Sequence, residues 1–262
     1  MTGIYYNEND PGAVSWLRRL IATRQLPPGE IDSRSIIDVT PDDLRGFHQC
    51  HFFAGIGGWP LAARLAGWPD KAPLWTGSCP CQPFSVIGEK RAFDDERHLW
   101  PDFFRLICAI RPTVVMGEQV TGALGAAWLD GVGVDLESAD YTFRAVSLPA
   151  AAVNAPHIRE RAYWLAVEHS HRPRLERSNR EFQSTRIENS STERADVRCW
   201  DYTQWIECCD GRTRRAKPGV PLLVDGFPGR VAALHGLGNA IVPLLAAEVI
   251  GAFLDAYELE YA

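Results

Sequence analysis

The chain has 262 residues, 46% hydrophobic and 23% charged, with a formal net charge of −6. This composition excludes a disordered or low-complexity protein and leaves room for one large α/β domain with a small appendage. The apolar runs are short and broken by charge, and no basic stretch with a long apolar run opens the chain, so neither a membrane span nor a secretory leader is expected, and the cytoplasm is the expected compartment.

Taken in order, Ile4-Tyr5-Tyr6 reads as a short strand. Asn7 to Asp10 can cap a helix that has Pro11 at its first position and Val14, Leu17 and Ile21 on one face. Phe47 to Phe53 reads as the next strand, running into Ala54-Gly55-Ile56-Gly57-Gly58 and a helix with Pro60, Leu61 and Leu65. Leu74-Trp75-Thr76 starts a third apolar run that ends in the punctuated loop Gly77-Ser78-Cys79-Pro80-Cys81-Gln82-Pro83-Phe84-Ser85. Leu99, Phe103, Leu106, Ile107 and Ile110 mark an amphipathic helix, Thr113 to Gly117 a strand and Leu124 to Leu136 another helix. Phe143 to Leu148 and Arg161 to Val167 read as two more strands. Strands alternating with helices predict an α/β fold with a doubly wound, mostly parallel sheet.

From Glu168 to about Trp205 the chain turns polar and rich in arginine. Residues 157–215 hold twelve arginines against ten acids, so basic groups concentrate late in an acidic molecule, where a local face can grip phosphates. Trp200, Tyr202 and Trp205 fit core packing of this small region better than base stacking. Asp210-Gly211-Arg212 reads as a hairpin turn, followed by Arg214-Arg215, and Ile241 to Leu254 as a closing helix. Seven cysteines, at 50, 79, 81, 108, 199, 208 and 209, include no Cys-x-x-Cys pair, and no metal site is expected.

Pro80-Cys81-Gln82-Pro83-Phe84-Ser85 resembles the catalytic loop of the DNA cytosine-C5 methyltransferases. Other blocks of that family follow in family order: Gly88 to Arg97 resembles a loop that closes over DNA, and Val114 to Val120 a strand ending in Glu-Asn-Val. His157-Ile158-Arg159-Glu160-Arg161 matches Gln-x-Arg-x-Arg except at its first position, and Gly238-Asn239-Ala240 matches Gly-Asn-Ser/Ala. Phe53-Ala54-Gly55-Ile56-Gly57-Gly58 resembles Phe-x-Gly-x-Gly. The family's ribose-binding unit normally lies between that glycine loop and the cysteine, but only twenty-odd residues separate Gly58 from Cys81. Tyr6-Asn7-Glu8-Asn9-Asp10 and Ser35-Ile36-Ile37-Asp38-Val39 resemble that unit, so residues 1–46 are expected to be its transposed copy and to supply two strands of the sheet.

The resemblance implies a Rossmann-like, S-adenosylmethionine-dependent enzyme acting on double-stranded DNA. Cys81 would be the nucleophile, Glu118 the carboxyl at the N3 side of cytosine, and Arg159 and Arg161 the groups that hold O2 and the thiolate side. Phe53, Gly55, Gly57, Glu8, Ser35, Pro80 and Asn239 would bind the cofactor, with Ser35 standing where an aspartate is usual. Gln82, Ser85, Arg97, Arg212, Arg214 and Arg215 would meet DNA. Residues 1–167 would form the catalytic and cofactor-binding domain, 168–209 a short target-recognition region, and 210–262 a segment returning to the catalytic domain.

A thiolate suits this chemistry because it is strongly nucleophilic and later leaves readily, and the target base has to leave the duplex stack to reach it. A monomer is expected, with a cognate restriction nuclease as a possible partner. Two other classes stay open on the residues: a non-catalytic DNA-binding homologue, and a cysteine-dependent enzyme that uses another donor or a free pyrimidine nucleotide.

Overall fold

The computed structural model describes residues 3–80, 99–155, 157, 159–169, 204–207, 213–216 and 240–257. Its strands are β1 (Gly3–Asn7), β2 (Gly29–Asp32), β3 (Phe47–Phe52), β4 (Leu74–Gly77), β5 (Val114–Val120), β6 (Tyr141–Pro149) and β7 (Glu160–Glu168), in the sheet order β2-β1-β3-β4-β5-β7-β6. The first five are parallel, and β7 runs antiparallel to both of its neighbours. A separate antiparallel pair, β8 (Gln204–Glu207) and β9 (Thr213–Ala216), flanks the expected hairpin turn, which itself lies outside the described residues.

The helices are α1 (Pro11–Ala22), α2 (Gly58–Leu65), α3 (Trp100–Ile110), α4 (Ala123–Ser138) and α5 (Pro243–Tyr257). Asp10 caps α1 by accepting from the Ala13 N–H at 2.8 Å, with Pro11 in the first turn. Among the described residues, no helix is long and apolar enough to cross a membrane.

Strand alternation sorts the core into two layers. Tyr5, Cys50, Phe52, Trp75 and Val115 point to one face, where Phe103, Leu106 and Ile107 of α3 and Val132 and Leu136 of α4 cover them. Leu74, Val114 and Met116 point to the other, under Trp59, Ala62 and Ala63 of α2 and Leu245, Ala246 and Ile250 of α5. Ile4 and Tyr6 share that second face, under Leu17 of α1. The sheet is therefore doubly wound, as the alternation of elements predicts.

One connection departs from the usual hand. From β1 to β2 the chain steps toward one edge with α1 on the second face, and from β4 to β5 it steps the other way with α3 on the first. These two crossovers share one hand. The β3-α2-β4 crossover also steps toward β5 but carries its helix on the second face, so it has the opposite hand. Parallel crossovers almost always share the right hand. The exception falls where the sequence lacks the residues for the intervening unit.

β2 is polar and four residues long, Gly-Glu-Ile-Asp, and lies at the edge of the sheet. The Ser35–Val39 block follows it as a short 3-10 turn over Ile36–Asp38.

Candidate active site

The carboxyl ends of β1, β3, β4 and β5 and the amino end of β7 border a cleft of about 460 Å³. Open parallel sheets place their sites at this edge, because the chain diverges there to helices on opposite faces.

One wall is built from β1 and β3. The parallel register sets Asn7 beside Phe52, so Glu8 leaves its strand next to the turn that opens at Phe53. Glu8 Oε2 accepts from the Gly55 N–H at 2.7 Å and Oε1 from the Asp10 N–H at 2.8 Å. The turn needs left-handed backbone at Phe53 (φ 51°), Gly55 (φ 55°) and Gly57 (φ 83°). At Gly57 the left-handed backbone favours glycine, and a Cβ, 2.3 Å from Leu26 Cδ1, would also have to displace that methyl. The Phe53 ring lines the cleft and meets Phe103 edge-on at 6.3 Å. Asn7 Nδ2 donates to the carbonyls of Asp32 and Arg34 at 3.3 and 2.9 Å, tying the ends of β1 and β2 together. Ser35 caps its own turn, with Oγ 3.4 Å from the Ile37 nitrogen, and its neighbour Ile36 is the residue of this block that lines the cleft.

The opposite wall comes from β5 and β7. Their antiparallel register pairs Glu118 with Tyr163 and Val120 with Arg161, so Glu118 and Arg161 are diagonal neighbours on one face, within reach of long side chains. Glu118 Oε1 lies 2.9 Å from Arg161 Nε, and Glu118 is 7% exposed. Burial pushes the Glu118 carboxyl above the ordinary carboxylate value, while the charges of Arg161 and Arg159 pull it back. Burial and the like charge of Arg161 draw the Arg159 guanidinium below its usual value. The carboxyl thus lies against Arg161 and in the field of Arg159, with burial favouring its protonated form.

Between the walls, β4 runs out through Ser78, Cys79 and Pro80, all of which line the cleft. Cys79 is buried and its thiol is pushed well up by desolvation, which disfavours the thiolate. Gln119 Nε2 donates to the Cys79 carbonyl at 3.4 Å. Cys81, Gln82, Ser85, Arg97, Arg212 and Asn239 lie outside the described residues, and Arg214 and Arg215 are described only as backbone of β9. Ala240 and Ile241, which follow Asn239, line the cleft.

The structure thus brings Glu8, Phe53, Gly55, Pro80, Glu118, Arg159 and Arg161 around one cleft, with Gly57 in the turn behind it. It adds Trp59, Ser78 and Gln119, which motif reading passed over. A signal was available for Trp59 and Ser78, since one follows the glycine turn directly and the other precedes Cys79-Pro80-Cys81.

Residues 68–204 match the family model for the C-5 cytosine-specific DNA methylase. The type II methyltransferase M.HhaI of Haemophilus parahaemolyticus is 27% identical over 170 residues, 50% of this chain and 52% of that protein. M.HgiBI of Herpetosiphon aurantiacus is 45% identical over 117 residues, covering 30% of this chain and 27% of its own. The chain therefore spans about half, or less, of the length of these relatives. Among solved structures, a DNMT2 mutant of Spodoptera frugiperda aligns with a TM-score of 0.43 at 14% identity, covering 67% of this chain and 45% of that one. With more than half of its length matched by the family model, the chain belongs to the C-5 cytosine-specific DNA methylase family.

Proposed function

We propose that this protein transfers a methyl group from S-adenosylmethionine to carbon 5 of a cytosine flipped out of double-stranded DNA. The observation that carries the reading is the single cleft that holds both the Glu8–Gly55 bond and the Glu118–Arg161 pair, with Pro80, the chain neighbour of Cys81, on its lining. A cleft of about 460 Å³ suits a ligand of the cofactor's class, since such sites run to roughly 300–1,000 Å³. Glu8, Phe53, Ile36 and the Gly55 backbone would hold it. When bound, S-adenosylmethionine supplies an electrophilic sulfonium methyl group.

The Cys81 thiolate adds to carbon 6 of the ring, which turns carbon 5 into a nucleophile. In its protonated form, which burial favours, Glu118 donates a hydrogen bond at N3, where electron density accumulates. Arg161 keeps that carboxyl in place and, with Arg159, offers N–H groups to O2. After transfer, loss of the carbon 5 proton to solvent water restores the 5,6 double bond, expels the Cys81 thiolate from carbon 6 and frees the enzyme. Gln82, Ser85, Arg97, Arg212, Arg214 and Arg215 serve DNA, the 168–209 interval selects the target, and Asn239 ties the closing segment to the cofactor side.

Residues 1–46 take the place of the family's ribose-binding unit, moved to the front. The position of β1 beside β3 and the opposite hand of the β3-α2-β4 crossover both support this, because excising a unit on one face forces the remaining helix to bridge directly to the next strand. Action in the cytoplasm as a monomer, with a cognate nuclease, completes the reading.

The test is methylation of plasmid DNA in cells expressing the protein, read by base-resolved detection of 5-methylcytosine. Cys81→Ala or Cys81→Ser should abolish the mark and Cys79→Ala should retain most of it. DNA carrying 5-fluorocytosine should trap an adduct on Cys81. Equal loss in the Cys79 and Cys81 variants, or no adduct, overturns the assignment.

A further inference from the structure

The segment that leads to Cys81 is held from two sides by side chains that the proposed chemistry leaves without a role. On one side Gln119 Nε2 reaches the Cys79 carbonyl. On the other, Trp59 Nε1 donates to Ser78 Oγ at 3.0 Å. Trp59 is 3% exposed, sits at the second position of α2 directly behind the glycine turn, and meets Tyr163 of β7 edge-on at 6.2 Å. Tyr163 is in turn the cross-strand partner of Glu118. Trp59 therefore follows the glycine turn in the chain, bonds the exit of β4 through its N–H and packs its ring against the carboxyl-bearing strand pair.

We infer that Trp59 and Ser78 form a positioning pair, in which the indole N–H fixes the exit of β4 relative to the glycine turn and so sets the separation between the bound methyl donor and the cysteine. This rests on the methyltransferase reading above. The geometry favours a fixed spacer over simple filling. Indole nitrogen is a donor only, so it occupies one acceptor lone pair of the hydroxyl and leaves the serine's own hydrogen free to turn toward the cleft that Ser78 lines. The bond also joins two segments 19 residues apart just past Phe52 and Gly77, the last paired residues of β3 and β4, where the ladder itself no longer holds the two exits together. Small displacements at such a place act on rate before affinity, because transfer depends on the approach of reacting atoms.

The test uses the full chain with methyl transfer to DNA and alkylation of Cys81 by iodoacetamide as separate readouts. Trp59→Phe, which keeps a ring and removes the N–H, and Ser78→Ala should each lower kcat about tenfold, the scale of one neutral hydrogen bond. KM for S-adenosylmethionine should stay within about twofold, the double variant should be no slower than either single one, and Ser78→Thr should recover most of the rate. S-adenosylhomocysteine should change the Cys81 alkylation rate in the wild type and in Ser78→Thr, and should no longer do so in Trp59→Phe and Ser78→Ala. Wild-type kcat and wild-type alkylation behaviour in Ser78→Ala would overturn the pair, as would equal losses in the alanine and threonine variants. Absence of transfer by the wild-type chain overturns the methyltransferase reading instead, and alkylation then still decides whether the pair couples the ligand site to the cysteine.

Discussion

The two walls of the cleft are held by different physics. The Glu8 wall is a backbone construction: a carboxylate accepting from two main-chain N–H groups, beside a turn whose left-handed residues leave little freedom. The Glu118 wall is a side-chain construction, in which a buried carboxyl is tolerated because cations stand beside it. The first wall should therefore fail locally and mainly in affinity. Damage to the second should reach the chemistry and the fold together.

The largest expected effect is on the second wall. Glu118→Gln keeps the shape and a hydrogen-bond donor but removes the acidic proton, and transfer should fall by roughly 10²–10⁴-fold with cofactor affinity unchanged; single-turnover kinetics with a cofactor titration check this. An equal loss of affinity would erase the contrast between the walls. Next comes the first wall: Glu8→Ala removes the charge-assisted contact proposed for the cofactor's ribose hydroxyls, worth about 1.5–3 kcal/mol, so cofactor affinity should drop about ten- to a hundred-fold by calorimetry. Glu30→Ala, on the exposed edge strand of the same segment, should do little.

Arg161→Met leaves Glu118 without the guanidinium at 2.9 Å and should cost about 1–3 kcal/mol in urea unfolding, whereas Glu8→Ala, which gives up two main-chain N–H bonds at a partly exposed wall, should cost less. The smallest effect is a slope with pH. The folded-state carboxyl of Glu118 lies above its unfolded value, so its contribution to stability is fully present below the ordinary carboxylate range and is lost as pH rises through the folded value. The wild type should therefore lose ground to Glu118→Gln as pH rises from the ordinary carboxylate range through the raised folded-state value in paired urea titrations. A flat difference would mean that the arginines fully offset the burial.

Much of the fold could be read from local pattern. Pro11 after an acidic cap, the period of Phe103, Leu106 and Ile107, and the β-rich run at Leu74 each act within a few residues, so they fix helix α1, helix α3 and strand β4 without tertiary help. β2 could not be read that way: Gly-Glu-Ile-Asp has no apolar face to bury, and it is a strand only because β1 offers it an unpaired edge.

Sequence by itself determined which residues could carry the chemistry, because Pro80-Cys81-Gln82 and the Glu118, Arg159 and Arg161 blocks are defined by residue type and spacing. The absence of a strand unit between Gly58 and Leu74 was likewise legible as a length. Tertiary structure alone decided that Glu8 reaches Gly55, 47 residues away, since that bond needs β1 inserted beside β3 in one register. It alone decided the diagonal that sets Glu118 against Arg161, because a one-residue slip of β7 would turn the guanidinium to the opposite face. The Trp59–Ser78 bond depends on which face α2 crosses, and the hand of a crossover is written in how layers pack, beyond the reach of local sequence.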